Sequence, residues 1–416
     1  MKKLLAILLS VIMVLSLVAC GNKTQGETPS NDDQQQNTET ETKTIKVGLI
    51  CIGDENDQGY TYNFIRGKES ATEALAAKGI NVDWVVKYNI GEDSTCEDAN
   101  IELAEEGCEL IFNNSYGFEP FMLKVAPDYP EIQFVGCTNQ GSWNDGLENT
   151  HNAFANIYEG RYLAGVAAGM KMQELIDNGD ITADQAVIGY VGAYSFAEVI
   201  SGFTAYYLGA KSVCPSVTMK VQFVGSWSNA TEEGNAAAAL CDQGCIMISQ
   251  HSDNTTPATM AQSKGAFHTG YNNDMTGVAP DASIIGCRID WTNYFVYAIE
   301  SVANGQEFDQ DYCYGYDHGD VVLTELNEKI AAPGTAEKLA EVEAGLADGS
   351  IKVFDTSTFT VEGETLTSAF ALDTDGDFTP DSEEAVFDGA FHESYFQSAP
   401  YFAIKIDGIE WLNSAF

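Results

Sequence analysis

Short apolar runs alternate with helical patterns along most of this chain. The first run covers 45–52 and alternates apolar residues with others, which is typical of a strand. It stops at Gly53, and a polar loop follows, after which a helical pattern begins beyond Asn63. Gly, Asn and Asp separate the later runs in the same way. We predict further strands at 81–88, 109–113, 132–136, 153–157, 186–191, 218–224, 245–249, 266–271 and 283–288.

The alternation of strands and helices restarts after a long helix that begins near Tyr158. Such alternation is typical of a parallel sheet with helices on both faces. Two successive series therefore predict an α/β protein with two doubly wound lobes, joined by a hinge and separated by a cleft. One large sheet of about ten strands is the less common alternative. We assign 45–156 and 290–311 to the N-terminal lobe, and 157–289 and 312–416 to the C-terminal lobe.

The C-terminal part of the chain has a less regular pattern. Helices are predicted at 291–302 and 336–346, with a turn rich in Tyr and Asp at 311–320 between them. The residues after the second of these helices are richer in Thr, Phe and Gly, which favours hairpins that wrap one lobe.

The chain begins with a segment typical of an export signal. A basic start precedes an apolar stretch at 4–17 and a small-residue cleavage pattern that ends at Cys20. The apolar stretch is shorter than the roughly 20 residues that a membrane-spanning helix needs. We predict a lipoprotein signal peptide at 1–20, so that lipid on Cys20 holds the mature chain on the outer face of the cell membrane. The polar segment at 21–44 cannot bury enough surface to fold, which predicts a disordered tether.

Composition excludes one class of partner and limits the role of cysteine. The chain has 62 acidic against 20 basic residues and a net charge of −42, so nucleic acid is not expected as a partner. Of the 10 cysteines, most lie within predicted strands or helices as small apolar residues, and we expect free thiols. Cys241 and Cys245 have no second pair to complete a zinc site, so no metal site is predicted.

Enzyme signatures are missing from the sequence. It contains no phosphate-binding loop, no Gly-x-Ser-x-Gly nucleophile motif and no His-Glu-x-x-His zinc motif, and no cofactor is indicated. His251 lies at the carboxyl end of a predicted strand, but no nucleophile motif accompanies it, so we expect a ligand contact rather than a catalytic base. An acidic turn at 373–377 lacks the outer ligands of a calcium-binding loop.

Aromatic, amide and carboxyl side chains follow the predicted strands. In parallel α/β sheets the loops at the carboxyl ends of the strands face the ligand. The loop after the first strand contains neither Lys nor Arg, which favours a flat, uncharged ligand over a phosphate. Aromatic side chains stack on such rings with about 1–3 kcal/mol per base. The candidate ligand-binding residues are Asp57, Tyr60, Tyr62, Asn63, Tyr116, Trp227, Gln250, His251, Asp274 and Trp291.

Four segments together resemble the basic membrane protein (BMP) family of ABC-transporter solute-binding lipoproteins. They read NDQGYTY at 56–62, IYEGRYLAG at 157–165, LGA at 208–210 and QHSD at 250–253. The resemblance extends from about 45 to 302, and the most similar branch has Trp where this chain has Tyr60. It implies a type I periplasmic-binding-protein fold that captures purine nucleosides or nucleobases for import.

The resemblance also implies roles for individual residues. In that family one aromatic ring from each lobe encloses the purine, which by position makes Tyr60 and Trp227 the pair. The family's acidic site residue corresponds to Asp274, and a further site residue falls within 288–291. Relatives that bind nucleosides carry a Lys there to reach the ribose, whereas this chain has an acidic and an aromatic residue. A free nucleobase such as adenine is therefore a plausible ligand.

The sequence thus predicts a non-enzymatic receptor whose lobes close on a purine nucleobase or nucleoside and present it to an ABC permease. We expect lipid to be its link to the membrane. We expect closure to rotate the lobes about the three places where the chain passes from one lobe to the other, near Ile157, Asp290 and Tyr312. A sugar- or autoinducer-binding receptor of the same fold is the first alternative, because it also stacks aromatic rings on its ligand. A nucleoside hydrolase is the second, with His251 and Asp253 as its candidate centre.

Overall fold

The computed structural model describes residues 42–139, 146–374 and 379–415, which belong to one compact unit. The predicted signal peptide, Cys20 and nearly all of the predicted tether lie outside these residues, as does part of the acidic turn at 373–377. Among the helices within the described ranges, none combines the length and the apolar character that a bilayer crossing requires.

Strands and helices alternate through most of the described residues. The strands are β1 (Lys43–Ile50), β2 (Ile80–Lys87), β3 (Leu110–Asn113), β4 (Gln133–Gly136), β5 (Thr150–Ala155), β6 (Val187–Gly192), β7 (Thr218–Phe223), β8 (Met247–Gln250), β9 (Phe267–Tyr271), β10 (Ser283–Ile289), β11 (Asp311–Tyr314), β12 (Val321–Leu323), β13 (Phe370–Leu372), β14 (Ser382–Glu384), β15 (Val386–Phe387), β16 (Ala390–Phe391) and β17 (Ile409–Trp411). The helices are α1 (Tyr60–Ala77), α2 (Ser94–Glu105), α3 (Glu119–Val125), α4 (Ile157–Asp177), α5 (Ala197–Val213), α6 (Ala230–Asp242), α7 (Thr256–Lys264), α8 (Thr292–Ala303) and α9 (Thr335–Ala347).

Two separate sheets contain most of these strands. The first has the order β2-β1-β3-β4-β5-β11, and all its neighbours are parallel. The second has the parallel order β7-β6-β8-β9-β10, with β17 parallel to β7 at one edge and β12 antiparallel to β10 at the other. The doubly wound order 2-1-3-4-5 therefore occurs twice, which confirms the predicted fold class.

Helices cover both faces of each sheet. In the first sheet, Val47 and Leu49 belong to an apolar core with residues of α1 and α8, whereas Ile50 belongs to a core with residues of α2 and α3. In the second sheet, Ile188 packs with α4 and α5, and Val191 packs with α6 and α7. Strands that are buried on both faces need apolar residues on both, which explains the apolar runs in the sequence.

The helices α4 and α5 touch through their backbones. A Cβ atom on Gly165 would lie 2.0 Å from the backbone oxygen of Tyr206, and one on Gly209 would lie 2.0 Å from the backbone oxygen of Tyr162. Any side chain at either position would push the helices apart, because glycine alone lacks a Cβ. These two glycines of the 157–165 and 208–210 segments therefore have a packing role.

The chain passes between the two sheets at three places. It leaves the first sheet at Asn156, between β5 and α4, and α4 packs on β10 of the second sheet. It returns at 290–291, between β10 and α8, since α8 packs on α1 and β1. It leaves again at 315–320, between β11 in the first sheet and β12 in the second. Three segments therefore connect the two sheets.

Predicted and observed elements agree closely in position. All ten predicted strands are present with ends shifted by at most three residues, and the helices predicted at 291–302 and 336–346 are α8 and α9. The start of α1 differs, because the helix begins at Tyr60 rather than after Asn63. Asp57 accepts hydrogen bonds from the backbone N–H groups of Gly59 and Thr61 and so satisfies donors at this helix start. Tyr60 and Tyr62 consequently lie on the first helical turn.

The predicted turn at 311–320 also differs from the structure. Its first four residues form β11, which pairs in parallel with β5 along 152–155. Only Tyr312 of this strand is buried, so it lacks the apolar pattern of the other strands and was predicted as a turn.

The residues after α9 form part of the hydrophobic core of the second sheet. Phe354 and Phe402 are buried, their rings stack with centroids 4.5 Å apart, and both belong to the core that contains α4 and α5. The predicted hairpins are present as two short antiparallel pairs, β13 with β14 and β15 with β16. Together with β17, they make this segment an integral part of the fold.

The nine cysteines within the described ranges are free, and seven of them are buried. Burial raises the pKa of the Cys51 and Cys137 thiols well above their usual range. These cysteines are therefore neutral, small apolar residues of the core.

Candidate functional site

A cleft lies where the carboxyl ends of the two sheets face each other. Its walls come from the loops after β1, β3 and β4 of the first sheet and the loops after β6, β7, β8 and β9 of the second. The strand order reverses between β1 and β3 and between β6 and β8, which are the positions where α/β sheets bind ligands. The cleft contains about 530 Å³ of empty space, a volume that includes open solvent at its mouth. It is lined by Ile52, Tyr60, Asn114, Ser115, Tyr116, Cys137, Thr138, Phe154, Phe196, Glu198, Trp227, His251, Asp253, Tyr271 and Asn272.

Aromatic rings from both sheets stack beside this cleft. Phe196 lies between Tyr116 and Tyr194, with ring centroids 5.5 and 5.1 Å away and near-parallel planes. Trp227 meets the ring of Tyr194 edge-on at 5.1 Å. Tyr116 follows β3 of the first sheet, whereas the other three rings follow strands of the second. The aromatic cluster therefore joins the two sides of the cleft.

Tyr60 reaches the cleft from the first turn of α1. Its hydroxyl donates a hydrogen bond of 2.9 Å to the backbone oxygen of Cys137, and its ring packs edge-on against Phe64 at 5.1 Å. Burial raises the pKa of the Tyr60 phenol well above its usual range, so the ring carries no charge. A neutral ring that is fixed by a hydrogen bond at its hydroxyl and by packing against Phe64 is suited to stacking on a planar ligand.

Asp253 lies on the second-sheet side of the cleft and contacts the first. Its Oδ1 accepts hydrogen bonds from the backbone N–H of Tyr60 at 2.9 Å and from Nδ2 of Asn272 at 3.0 Å. Its own backbone N–H donates to the oxygen of Trp227 at 2.8 Å. Burial, together with the negative charge of Asp57, raises the pKa of Asp253 well above its usual range. Asp253 therefore holds residues of both walls while it lines the space between them.

His251 lines the cleft and contacts a second carboxyl group. Its Nε2 lies 2.6 Å from Oε2 of Glu198, and its Nδ1 lies 3.1 Å from a guanidinium nitrogen of Arg161. Burial lowers the pKa of His251, an effect that Glu198 opposes and Arg161 reinforces. Glu198 belongs to the first turn of α5, where the helix terminus favours a negative charge.

Four of the ten predicted ligand-binding residues line this cleft. They are Tyr60, Tyr116, Trp227 and His251, and they come from both sheets. The structure therefore brings together the two rings that the family resemblance paired, Tyr60 and Trp227, along one space.

Three other predicted residues lie at the start of α1, outside the lining of the cleft. Asp57 binds backbone N–H groups of the first turn. The ring of Tyr62 faces the guanidinium of Arg66, whose Cζ lies 4.5 Å from the ring centroid. Asn63 is buried and donates a hydrogen bond of 3.1 Å to Oδ1 of Asn272. Asn63 therefore lies outside the lining and forms a hydrogen bond with Asn272, which lines the cleft.

The last three predicted residues also lie away from the cleft lining. Gln250 is buried, and its Nε2 donates to the backbone oxygens of Ser252 and Asn254, so it shapes the loop after β8. Asp274 is exposed and accepts a hydrogen bond from the backbone N–H of Thr276. Trp291 is 1% exposed and packs in the core against Phe64, with ring centroids 4.3 Å apart.

Several residues of the cleft were missing from the predicted set. Phe196, Glu198, Asp253 and Asn272 all follow strands of the second sheet, a position that predicts that they face the crevice, although they are not among the ten candidates. Arg161 was also missed, although it is the single basic residue within 157–170 of a largely apolar helix. Phe154 and Tyr271 lie within strands and carry no such signal.

The chain is similar in sequence to proteins that are named for the small molecules they bind. It is 32% identical over 311 residues to a purine-binding protein of Brucella abortus (strain 2308), a match that covers 74% of this chain and 83% of that protein. It is 28% identical over 327 residues to a putative ABC transporter glucose-binding protein of Haloferax volcanii, covering 78% of this chain and 77% of the relative.

The fold and the sequence profile agree with these similarities. A crystal structure of an ABC transporter solute-binding protein from Aeropyrum pernix K1 superposes with a TM-score of 0.62 at 16% identity, covering 74% of this chain and 93% of that one. Residues 44–351 match the profile of the Bmp family, described as ABC transporter substrate-binding protein PnrA-like. The chain has the type I periplasmic-binding-protein fold and belongs to the Bmp family of ABC transporter substrate-binding proteins.

Proposed function

We propose that this protein captures a purine nucleobase or nucleoside in the cleft between its two sheets. The observation that supports this most directly is that Tyr60, from α1 beside the first sheet, and Trp227, from the loop after β7 of the second, line the same cleft. A purine enclosed by these rings would gain about 1–3 kcal/mol from each stack. The lining residues among the described part of the chain include no Lys or Arg, which fits an uncharged ring better than a phosphorylated ligand.

The polar groups around the cleft suit the edges of a base. Asp253 and Glu198 each present a carboxyl oxygen, Oδ2 and Oε1, that has no hydrogen-bond partner among the described residues. These oxygens can form hydrogen bonds with the polar atoms at the edge of a base once water leaves, and hydrogen bonds strengthen in such a closed space. The relative from Brucella abortus is named for purine binding, which supports the same ligand class.

The three segments that connect the sheets would serve as the hinge. Rotation about Asn156, 290–291 and 315–320 would bring the walls of the cleft together around the ligand. The closed form would then present the ligand to the membrane subunits of an ABC importer. Lipid on Cys20 would keep the receptor at the outer face of the cell membrane, within reach of that importer.

The contacts of His251 support a binding role for this residue over the alternative of a nucleoside hydrolase centre. A general base needs a free ring nitrogen directed at the attacking water. Here Nε2 of His251 is engaged by Glu198 and Nδ1 by Arg161, both at hydrogen-bond distance. A sugar-binding receptor is a second candidate, because the Haloferax volcanii relative is named as a putative glucose-binding protein.

Calorimetric titration of ligand-stripped protein tests the proposal. Adenine, adenosine, inosine, guanine and glucose are titrated in parallel, and the protein is also incubated with adenosine and inosine and assayed for free base by chromatography. We expect saturable binding of at least one purine, no binding of glucose and no release of base. Binding of glucose alone would favour the sugar receptor, and release of base would establish the hydrolase.

A further inference from the structure

Arg161 is a buried cation directly behind the cleft. It projects from α4, is 1% exposed, and donates one hydrogen bond of 3.0 Å from Nη1 to the backbone oxygen of Gln250. Its Cζ lies 3.3 Å from the ring centroid of Tyr271, which places the charge against an aromatic face. A buried charge is costly unless other groups compensate it. The ring and the backbone oxygen supply part of this compensation, and Arg161 also contacts His251, which in turn contacts the carboxyl group of Glu198.

The contact between Arg161 and His251 determines where the imidazole carries its proton. Nη2 of Arg161 lies 3.1 Å from Nδ1 of His251. A guanidinium group can donate hydrogen bonds but cannot accept them, so Nδ1 must be the acceptor. The hydroxyl of Tyr190 lies 3.3 Å from the same nitrogen and can donate to it as well. His251 is therefore neutral, with its proton on Nε2.

This tautomer determines how Glu198 is oriented. The Nε2–H group of His251 donates to Oε2 of Glu198 at 2.6 Å. Oε1, the other carboxyl oxygen of Glu198, has no hydrogen-bond partner among the described residues, and Glu198 lines the cleft. One oxygen is thus fixed by the protein, and the other is left to accept a hydrogen bond.

We propose that Arg161 is a positioning residue that acts through His251 to hold Glu198 as the acceptor for an amino group of the ligand. The ligand class is then an aminopurine, and adenine is the simplest member. This inference rests on the proposed function, because it assigns the recognition of the base to a particular side chain of the same cleft. A methyl group in place of the amino group would leave the carboxylate without a partner.

Calorimetry with two ligands of similar shape tests the recognition by Glu198. Adenine and 6-methylpurine differ in the exocyclic group, which donates hydrogen bonds only in adenine. We expect the parent protein to bind adenine about tenfold or more tightly than 6-methylpurine, which corresponds to ~1.4 kcal/mol or more. Glu198→Gln should lose most of this preference by weakening adenine binding, while its affinity for 6-methylpurine stays within about threefold of the parent value. Equal affinities of the parent for both ligands, or equal weakening of both in the variant, would overturn the assignment.

Nitrogen NMR of ¹⁵N-histidine-labelled protein tests the positioning by Arg161. We expect Nδ1 of His251 to be unprotonated and Nε2 to be protonated in the parent, with the signals assigned through His251→Asn. Arg161→Met should give a mixture of tautomers and lose the adenine preference, whereas Arg161→Lys, which keeps one cationic donor, should restore part of both. Unchanged tautomer signals in Arg161→Met would refute the positioning role.

Two controls keep the outcomes distinct. Thermal unfolding of each variant establishes that it is folded. If Arg161→Met does not fold, Arg161→Lys is compared with the parent: a weaker preference for the Nε2-protonated tautomer and for adenine supports the positioning role, and unchanged values of both refute it. If the parent binds no purine at all, the proposed function and the assignment of Glu198 both fail. The tautomer measurement needs no ligand, and in that case it alone decides whether Arg161 orients His251.

Discussion

The backbone N–H of Tyr60 donates a hydrogen bond of 2.9 Å to Oδ1 of Asp253. Tyr60 is the first residue of α1, beside the first sheet, whereas Asp253 follows β8 of the second. The first backbone N–H groups of a helix have no acceptor within it, so Asp253 supplies one from the opposite wall of the cleft. A Cβ atom on Gly59 would lie 2.5 Å from Asp253, which shows how closely the two walls approach here.

We expect the ligand-free parent to lose free energy of unfolding as the pH rises and Asp253 ionises, whereas Asp253→Asn should lose less. The variant should therefore gain stability relative to the parent at the higher pH. Burial and the nearby charge of Asp57 raise the pKa of Asp253, so its contribution to stability is present below the unfolded-state pKa of about 3.9 and is lost as the pH rises through the folded-state pKa. Asn keeps an acceptor oxygen for Tyr60 and Asn272 but has no proton to lose. Urea unfolding at about pH 5 and about pH 8 measures the difference in free energy of unfolding.

Asp274→Asn is the matched control for this measurement. Asp274 is exposed and, among the described residues, bonds only within its own loop, so its replacement removes one carboxyl group without removing a contact between the two walls of the cleft. Identical pH dependence of Asp253→Asn and the parent would mean that Asp253 is ionised without cost in the folded protein.

The two rings proposed to enclose the ligand should each be needed for binding. We expect Tyr60→Ala and Trp227→Ala to weaken purine binding by about tenfold or more, because each removes a stacking surface worth about 1–3 kcal/mol. Calorimetric titration with adenine measures the change in dissociation constant.

Tyr62→Ala provides the control for aromatic loss in the same helix. Tyr62 lies two residues after Tyr60 but outside the lining of the cleft, so its replacement should change the affinity by less than about twofold. If all three variants bound adenine like the parent, the ligand would not lie between these rings.

The sequence predicted the fold more completely than the site. All ten predicted strands occur within three residues of their expected ends, because the central strands are buried on both faces and carry apolar runs, and the edge strand β2 also has a run of apolar residues at 84–86. The strand β11 gave no such signal, because it is only four residues long, reads DYCY and buries only Tyr312. Its pairing with β5 depends on residues far away in the chain, which local patterns do not contain.

The site was predicted only where a side chain directly follows a strand. Tyr116, Trp227 and His251 were identified by that position, and all three line the cleft. Trp291 also follows a strand, but its side chain points into the core and packs against Phe64. The direction of a side chain depends on where the next helix starts, and the sequence did not determine this to within one residue.

The contact between α4 and α5 should tolerate no side chain at Gly209. Alanine normally stabilises a helix relative to glycine by about 1 kcal/mol. Here the added Cβ would lie 2.0 Å from the backbone oxygen of Tyr162, so we expect Gly209→Ala to lower the free energy of unfolding by about 1–3 kcal/mol. Gly277→Ala is the control, since no heavy atom lies within 4 Å of a Cβ at that position. Similar urea midpoints for the two variants would contradict the observed packing of these helices.

The C-terminal segment after 351 lies outside the family match, yet it contributes to the core of the second sheet. Phe402 is fully buried and stacks on Phe354, so we expect Phe402→Ala to lower the free energy of unfolding by about 3–5 kcal/mol. Tyr395→Ala is the matched control from the same segment, because Tyr395 is 66% exposed and its removal should cost less than about 0.5 kcal/mol. Chemical unfolding followed by circular dichroism compares the two. If Phe402→Ala were as stable as Tyr395→Ala, the segment would be an appendage rather than part of the core, and shortening the chain to the family boundary would leave a stable receptor.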